Sequence, residues 1–209
     1  SKADYLMGYW RNDGISSWVD RAPERMLFDG SNDHIDCGTI SGISVTENVA
    51  ISLWFQAPNV DSFDAFFTQK TGGDTVDTIK LWWYANKIMM EIWEATTKYA
   101  ALADWTPDSD WHHMVWMWDT SGTPAENKNT FYLDNSLMSL ASGSGWGNRA
   151  SITNFEIGAG NSTNPFTGII DEVAYFNNTL TSDEVAELYN LGLNGDVLTH
   201  SNQTNLVSY

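Results

Sequence analysis

The sequence predicts an all-β fold in which two antiparallel sheets pack face to face, with one short α-helix near the C-terminus. Along most of the 209 residues, short alternating or apolar runs are separated by polar turns rich in Gly, Asn, Asp and Ser. Aromatic residues make up 13% of the chain, including 11 Trp, and large rings suit a sheet-on-sheet core about 10 Å thick. The length suits one such domain, because β-sandwiches reach about 200–250 residues undivided.

The predicted strands are short and follow one another at regular intervals. Ala85 and Asn86 separate two strong runs, which predicts a tight hairpin because Asn tolerates a positive φ. The strands are expected at residues 5–10, 25–28, 34–37, 49–56, 63–70, 78–85, 87–94, 111–119, 130–133, 155–157 and 168–176.

One helix is predicted, in the stretch LTSDEVAELYNLG. Thr181 is its N-cap, Glu184 completes a capping box three residues later, and Gly192 ends it. We therefore expect residues 1–192 to form the sandwich. Residues 193–209 are polar and weakly patterned, and they are expected to be a loose tail or to dock on a neighbour.

The charge and the cysteine count narrow the functional classes. The formal net charge is −17, so phosphate backbones and anionic membrane surfaces would be repelled and nucleic acid is not an expected partner. No run of about 18 apolar residues exists, so no membrane insertion is expected. Cys37 is the single cysteine, and the fold must hold by packing without an internal disulfide. Binding of divalent cations and solubility in salty surroundings remain as uses of the charge.

Six segments occur in an order and spacing that resembles a known family: LFDGSNDHIDCG, VAISLWFQAP, WHHMVWMWD, TFYLDN, FEIGAGNS and FTGIIDEVAYFNNTLTSDEVAELYNLG. They resemble the laminin-G-like and pentraxin-like jelly-roll domains of the concanavalin A-like superfamily. The resemblance covers residues 6–192. It implies two antiparallel sheets of six or seven strands, a structural calcium ion, and binding of glycans or proteins. The opening GYWRNDG resembles phage-derived members of the family, including virion proteins.

The resemblance implies a calcium site at Asp29, Gly30 and Asp171, because the turn and the strand that carry the two carboxylates lie close together in the family. Calcium takes about 6–8 oxygen ligands, and carboxylates, carbonyls and water would supply them. Gly30 would allow the backbone to bend toward the ion. The alternative is that Asp29 makes an Asx turn and that Asp171 accepts backbone hydrogen bonds.

A candidate ligand surface follows from the alternation of side chains along the two hairpin strands. Trp82, Tyr84, Trp93, Lys80 and Glu91 all fall on the face opposite the predicted core. Aromatic rings beside charged groups are typical of sugar sites, where ring faces stack on C–H groups and polar groups fix hydroxyls. We expect the three rings to lie within reach of one another. The alternative is that they pack on neighbouring strands or on a partner chain.

No catalytic residues are predicted. Related glucanases place carboxylates at alternate strand positions, with spacings set by retaining or inverting chemistry. Here Glu91 and Glu94 are three residues apart on a strand and face opposite sides, while Asp171 and Glu172 are adjacent. The sequence therefore predicts a binding protein and not an enzyme, with glycan hydrolase as the least favoured class.

The leading hypothesis is a recognition or adhesion module that binds carbohydrate on an extracellular or particle surface. The alternative is a structural virion component, such as a capsid decoration or fibre subunit, without glycan affinity. The partner would be a glycan in the first case and a neighbouring protein subunit in the second. Assembly as a homo-oligomer or as part of a larger particle is compatible with both.

Overall fold

The computed structural model describes residues 25–38, 48–58, 63–70, 79–94, 96–122, 129–139, 142–143, 154–159 and 164–208, so the predicted strand at residues 5–10 lies outside this part. The described residues form fourteen strands and one α-helix. These are β1 (Met26–Asp29), β2 (Ile35–Asp36), β3 (Val49–Gln56), β4 (Ala65–Lys70), β5 (Ile79–Tyr84), β6 (Lys87–Glu94), β7 (Thr96–Asp104), β8 (His112–Trp118), β9 (Asn129–Leu133), β10 (Ser136–Leu137), β11 (Ser142–Gly143), β12 (Asn154–Ile157), β13 (Thr167–Phe176), α1 (Ser182–Leu191) and β14 (Leu206–Ser208).

The strands form two antiparallel sheets. The first sheet has the order β1-β13-β3-β8-β9-β10, with β14 also paired to β13. The second sheet has the order β11-β7-β6-β5-β4-β12-β2. The predicted fold class, an all-β two-sheet sandwich with one short helix, is confirmed.

The main core lies between the two sheets and absorbs many of the aromatic side chains. Its largest fully buried members include Trp116, Trp118, Phe55, Phe67 and Phe155. Such rings fill an interior about 10 Å thick without long aliphatic side chains. Most of the aromatic side chains that the structure describes are therefore buried.

A second apolar cluster covers the outer face of the first sheet. The helix α1 contributes Val185 and Leu188, which pack against sheet residues such as Val115 and Phe176. The predicted capping box is confirmed, because the Glu184 amide donates to Thr181 Oγ1 while the Thr181 amide donates to the Glu184 carboxylate. The short helix is thus fixed at its start by its own sequence and along its length by packing.

The segment after the helix docks on its own domain. Three short 3-10 turns lead from Gly192 to Asn205, and β14 then pairs with the end of β13. Val197 and Leu206 are buried in the cluster beneath the helix. The segment therefore adds a strand to the first sheet, instead of forming the expected tail that is loose or docks on a neighbour. Val197 and Leu206 anchor this mostly polar segment.

Strand β7 was not predicted. Its sequence, TTKYAALAD, is rich in Ala, which favours helix, and it lacks a clear alternation. In the structure it pairs along its length with β6, so its backbone hydrogen bonds are satisfied by the sheet. Across the described ranges, no helix is long and apolar enough to cross a membrane.

Candidate functional site

The predicted hairpin brings most of the candidate ligand residues into register. Ala85 and Asn86 have φ values of 50° and 62°, as a tight two-residue turn between twisted strands requires. Across this hairpin Tyr84 lies opposite Lys87, and Lys80 lies opposite Glu91. Residues directly opposite each other share one face of a sheet. The side chains therefore line the outer face of the second sheet, as predicted.

Two of the predicted rings meet, and a third ring joins them that the sequence did not indicate. The ring centroids of Trp82 and Tyr84 are 5.6 Å apart. Phe63 stacks on Trp82 at 5.1 Å with an interplanar angle of 10°, and it lies 5.1 Å from Tyr84. We call Phe63, Trp82 and Tyr84 the ring cluster. These distances are those of favourable aromatic pairs.

The ring cluster has a buried floor and an exposed rim. Trp82 is 5% exposed, whereas Phe63 and Tyr84 are 43% and 42% exposed. Exposed large aromatic side chains side by side are less common on a soluble surface than single ones. The accessible surface is therefore formed by Phe63 and Tyr84, and Trp82 supports them from below. The expectation that Trp82 itself is exposed is corrected.

Phe63 adopts a strained backbone conformation that aims its ring at the cluster. Its φ is 86°, a region that bulky residues rarely occupy. The Phe63 amide donates to the Trp83 carbonyl at 2.9 Å, and the Trp83 amide donates to the Asp64 carbonyl at 2.9 Å. The buried Asp64 in turn accepts the Thr167 amide at 3.1 Å. Strain that is held by such a network is frequent at binding sites.

The sequence did not indicate Phe63 because the pairing register of β4 shifts by one residue. A regular alternation puts residues 63, 65 and 67 on one face, and Phe67 belongs to the main core. In the structure the pairing with β5 shifts between Ala65 and Phe67, so Ala65 lies opposite Trp82 and Phe67 opposite Leu81. The extra residue on β4 reverses the side to which the preceding alternate residues point, so Ala65 and Phe63 lie on the outer side of the second sheet.

Lys80 and Glu91 form an ion pair beneath the same face. The Lys80 Nζ lies 3.5 Å from a Glu91 carboxylate oxygen, and their side chains are 16% and 13% exposed. The same Nζ lies 4.9 Å from the centre of the Trp82 ring, within cation–π range. Lys80 therefore has two partners within the protein and supports the floor of the ring cluster.

Trp93 lies farther along the hairpin than the other rings. Trp82 lies opposite Met89 in the hairpin, and Trp93 comes four residues after Met89 on β6. Four strand residues span roughly 13 Å of backbone. The Trp93 side chain lies outside the described residues, so its contact with the other rings stays a prediction, while Phe63 is a third ring that the described residues contain.

The two predicted calcium ligands lie at separate positions on the first sheet. Asp29 is opposite Thr167 on β13, whereas Asp171 comes four residues later on that strand, opposite Trp54. The separation along the strand is roughly 13 Å. Asp29 Oδ1 accepts the Ser31 amide at 2.8 Å, which is the Asx-turn alternative. Asp171 is buried, and its Oδ1 accepts the adjacent Glu172 amide at 2.9 Å.

The residues present do not fit one calcium ion shared by this pair. Among the described residues, no group of three or more His, Cys, Asp or Glu side chains could hold a metal. The fold requires a glycine at position 30 whether or not calcium binds, because φ is 77° there and a Cβ would lie 2.3 Å from Thr167 Oγ1. Calcium binding at Asp29 and Gly30 stays a prediction that experiment must test.

Two neighbouring histidines on β8 lie on opposite faces of the first sheet, and their pKa values are shifted in opposite directions. His112 contacts Asp134 at 2.7 Å and Asp108 at 3.0 Å. The hydrogen bond to Asp134, together with the Asp108 contact, raises the pKa of His112 to about 9 despite partial burial. His113 is buried between Trp54 and Tyr189, and burial lowers its pKa to about 3.

The buried pair of Ser52 and His113 lacks the third group of a hydrolase triad. Ser52 Oγ lies 2.8 Å from His113 Nε2. The other ring nitrogen, Nδ1, has no hydrogen-bond partner among the described residues. A catalytic histidine needs a carboxylate or similar group there to orient it and to stabilise its charged form. Among the described residues, the pair is a buried hydrogen bond that links β3 and β8.

Comparison with known proteins gives a family and a set of structural neighbours. The sequence profile of the Concanavalin A-like lectin/glucanases superfamily (Laminin_G_3) matches residues 29–186. No curated protein sequence matches the chain significantly.

Three solved structures illustrate the structural likeness. Domain 4 of an extracellular arabinanase from Geobacillus stearothermophilus, in complex with arabinotriose, superposes with a TM-score of 0.62 at 18% identity, covering 75% of this chain and 72% of that one. The CBM40 module of a Ruminococcus gnavus sialidase, bound to α2,3-sialyllactose, gives 0.54 at 15%, covering 79% and 98%. The binding domain of botulinum neurotoxin serotype G gives 0.60 at 15%, covering 83% and 44%. At these identities the likeness shows the fold alone.

Proposed function

Because the chain belongs to the concanavalin A-like lectin/glucanase superfamily, we propose that it is a non-catalytic module that binds carbohydrate through the ring cluster. Structural neighbours that are themselves complexes with arabinotriose and α2,3-sialyllactose support a glycan ligand. The fold hosts several functions, so the choice among them depends on a site in this chain.

The observation that carries the proposal is the pair of exposed rings held over a buried one. Phe63 and Tyr84 are each more than two-fifths exposed, and both contact Trp82. Stacking of sugar C–H groups on such rings gains apolar contact without requiring the site to close. The strained backbone of Phe63 gives a second reason, since residues held in rare backbone conformations cluster at ligand-binding sites.

The proposal is tested by glycan binding of the double variant Phe63→Ala/Tyr84→Ala. A glycan array identifies ligands of the wild-type chain, and titration calorimetry then measures the dissociation constant. With about 0.5–1.5 kcal/mol per ring contact, loss of two rings should weaken binding between about fivefold and a hundredfold.

The matched control removes another exposed apolar side chain, Leu137, which is 63% exposed on the edge of the first sheet. Leu137→Ala should leave the dissociation constant unchanged. Equal losses in the control and in the ring variant, or undiminished binding in the ring variant, would contradict the proposal. Reducing ends should not be released from any bound glycan, since no catalytic step is part of the proposal.

An extracellular location agrees with this function. The alternative of a structural virion component remains a prediction of the sequence, and it would be favoured by a stable oligomer that binds no glycan.

A further inference from the structure

We propose that the glycan recognised at the ring cluster is neutral, and that sialylated or uronate-containing chains are rejected. This inference rests on the proposed function and specifies the ligand class of the same site. It follows from the two cations that the structure describes near the rings, Lys80 and Lys87, each of which is paired with a carboxylate.

The first cation near the rings, Lys80, is largely buried on the outer face of the second sheet and is already paired. Its Nζ is 3.5 Å from the Glu91 carboxylate and 4.9 Å from the centre of the Trp82 ring, and its side chain is 16% exposed. A ligand carboxylate could reach this ammonium only through the small part of the Lys80 side chain that is exposed. It would then lie beside the Glu91 carboxylate, where two like charges repel each other strongly because solvent screening is weak.

The second cation, Lys87, is closer to the exposed rim but also paired. It lies opposite Tyr84 on one side and opposite Asp104 on the other, so the three residues share one row of the second sheet. The Lys87 ammonium contacts the Asp104 carboxylate, and the side chains are 39% and 79% exposed. An acidic sugar stacked on Tyr84 would compete with Asp104 for Lys87 and would be repelled by that carboxylate, since the three residues share one row.

The net charge of the chain acts in the same direction over longer distances. A formal charge of −17 slows the approach of anionic ligands, most strongly at low ionic strength. Among the side chains that the structure describes around the ring cluster, no unpaired cation offsets this repulsion. A neutral sugar meets none of these penalties, because stacking on Phe63 and Tyr84 requires no counter-charge.

The test compares matched neutral and acidic glycans on the wild-type chain. Suitable pairs are lactose with α2,3-sialyllactose, and galactan with polygalacturonate, first on an array and then by titration calorimetry. We expect the neutral member to bind at least about tenfold more tightly, as like-charge contact should disfavour the acidic one. The dissociation constant of the neutral glycan should change less than about twofold between low and high salt, since no charge pairing contributes to its binding.

A charge variant separates the mechanism from chance selectivity. Asp104→Asn leaves Lys87 without its carboxylate partner, so the ratio of acidic to neutral affinity should rise by roughly threefold, the scale of one exposed ion pair. An unchanged ratio would show that the paired lysines do not set the preference and would overturn the inference.

Tighter or equal binding of the acidic members by the wild-type chain would also overturn it, while leaving glycan binding itself intact. Failure of every neutral and acidic glycan to bind would instead contradict the proposed function, and with it this inference.

Discussion

The strained backbone at Phe63 allows a sharp test, because it reverses the usual order of alanine and glycine. In most strands Gly is less favourable than Ala by about 0.5–1 kcal/mol, since it loses more conformational freedom on folding. At Phe63 the φ of 86° penalises every residue that has a Cβ. We therefore expect Phe63→Gly to be more stable than Phe63→Ala.

The magnitude follows from three contributions. Both substitutions remove the ring contacts with Trp82 and Tyr84, which should cost about 1–3 kcal/mol relative to the wild type for a half-exposed ring. The left-handed conformation costs an alanine about 1–2 kcal/mol that a glycine does not bear. After subtracting the entropy term for glycine, Phe63→Gly should exceed Phe63→Ala in unfolding free energy by about 0–1.5 kcal/mol, a range centred on about 0.8 kcal/mol.

Urea unfolding of the two variants, followed by Trp fluorescence, measures this difference. The control is the neighbouring rim residue Tyr84, which has no positive φ, so Tyr84→Ala should be more stable than Tyr84→Gly. Both Phe63 variants should lose glycan affinity despite their different stabilities. An alanine variant at Phe63 that is more stable than the glycine variant would refute the strained conformation, and with it the account of how the ring is aimed.

Four further predictions concern the two histidines, calcium and the helix. Burial lowers the pKa of His113 from the ordinary value of 6.5 to about 3, so the stability that its neutral form contributes should be present at neutral pH and lost as pH falls from 6.5 to about 3. The unfolding free energy of His113→Gln should therefore decrease less than that of the wild type over this pH range. Hydrogen-bonded carboxylates raise the pKa of His112 to about 9, so the charged ring should add about 1–2 kcal/mol to the unfolding free energy after solvent screening. This stability should be lost as pH rises from 6.5 to about 9 in the wild type, but not in His112→Asn. Any rise in Tm with calcium, measured against EDTA, should vanish in Asp29→Asn and persist in Asp171→Asn, because the two carboxylates lie apart; a response lost only in Asp171→Asn would contradict a calcium site at Asp29. Thr181→Ala should cost about 1 kcal/mol in thermal unfolding by removing the capping box, whereas unchanged stability would show that packing alone fixes the helix.

The sequence alone determined the features that depend on neighbouring residues. Side-chain alternation put Trp82 and Tyr84 on one face of β5 and Trp83 in the core, and the structure has them there. The turn at Ala85 and the capping box at Thr181 followed from conformational preferences that act over a few residues. These preferences are largely independent of the rest of the chain, so a sequence pattern is sufficient to predict them.

The tertiary structure alone decided the features that depend on pairing between distant segments. A register shift between Ala65 and Phe67 moved Phe63 to the outer face of the second sheet, and the pairing of β1 with β13 separated Asp29 from Asp171. The Ala-rich strand β7 became a strand because β6 satisfies its backbone groups. Register is set by the packing of whole strands, and a shift of one residue reverses every side chain beyond it. The composition of the ring cluster could therefore be read only from the folded sheets.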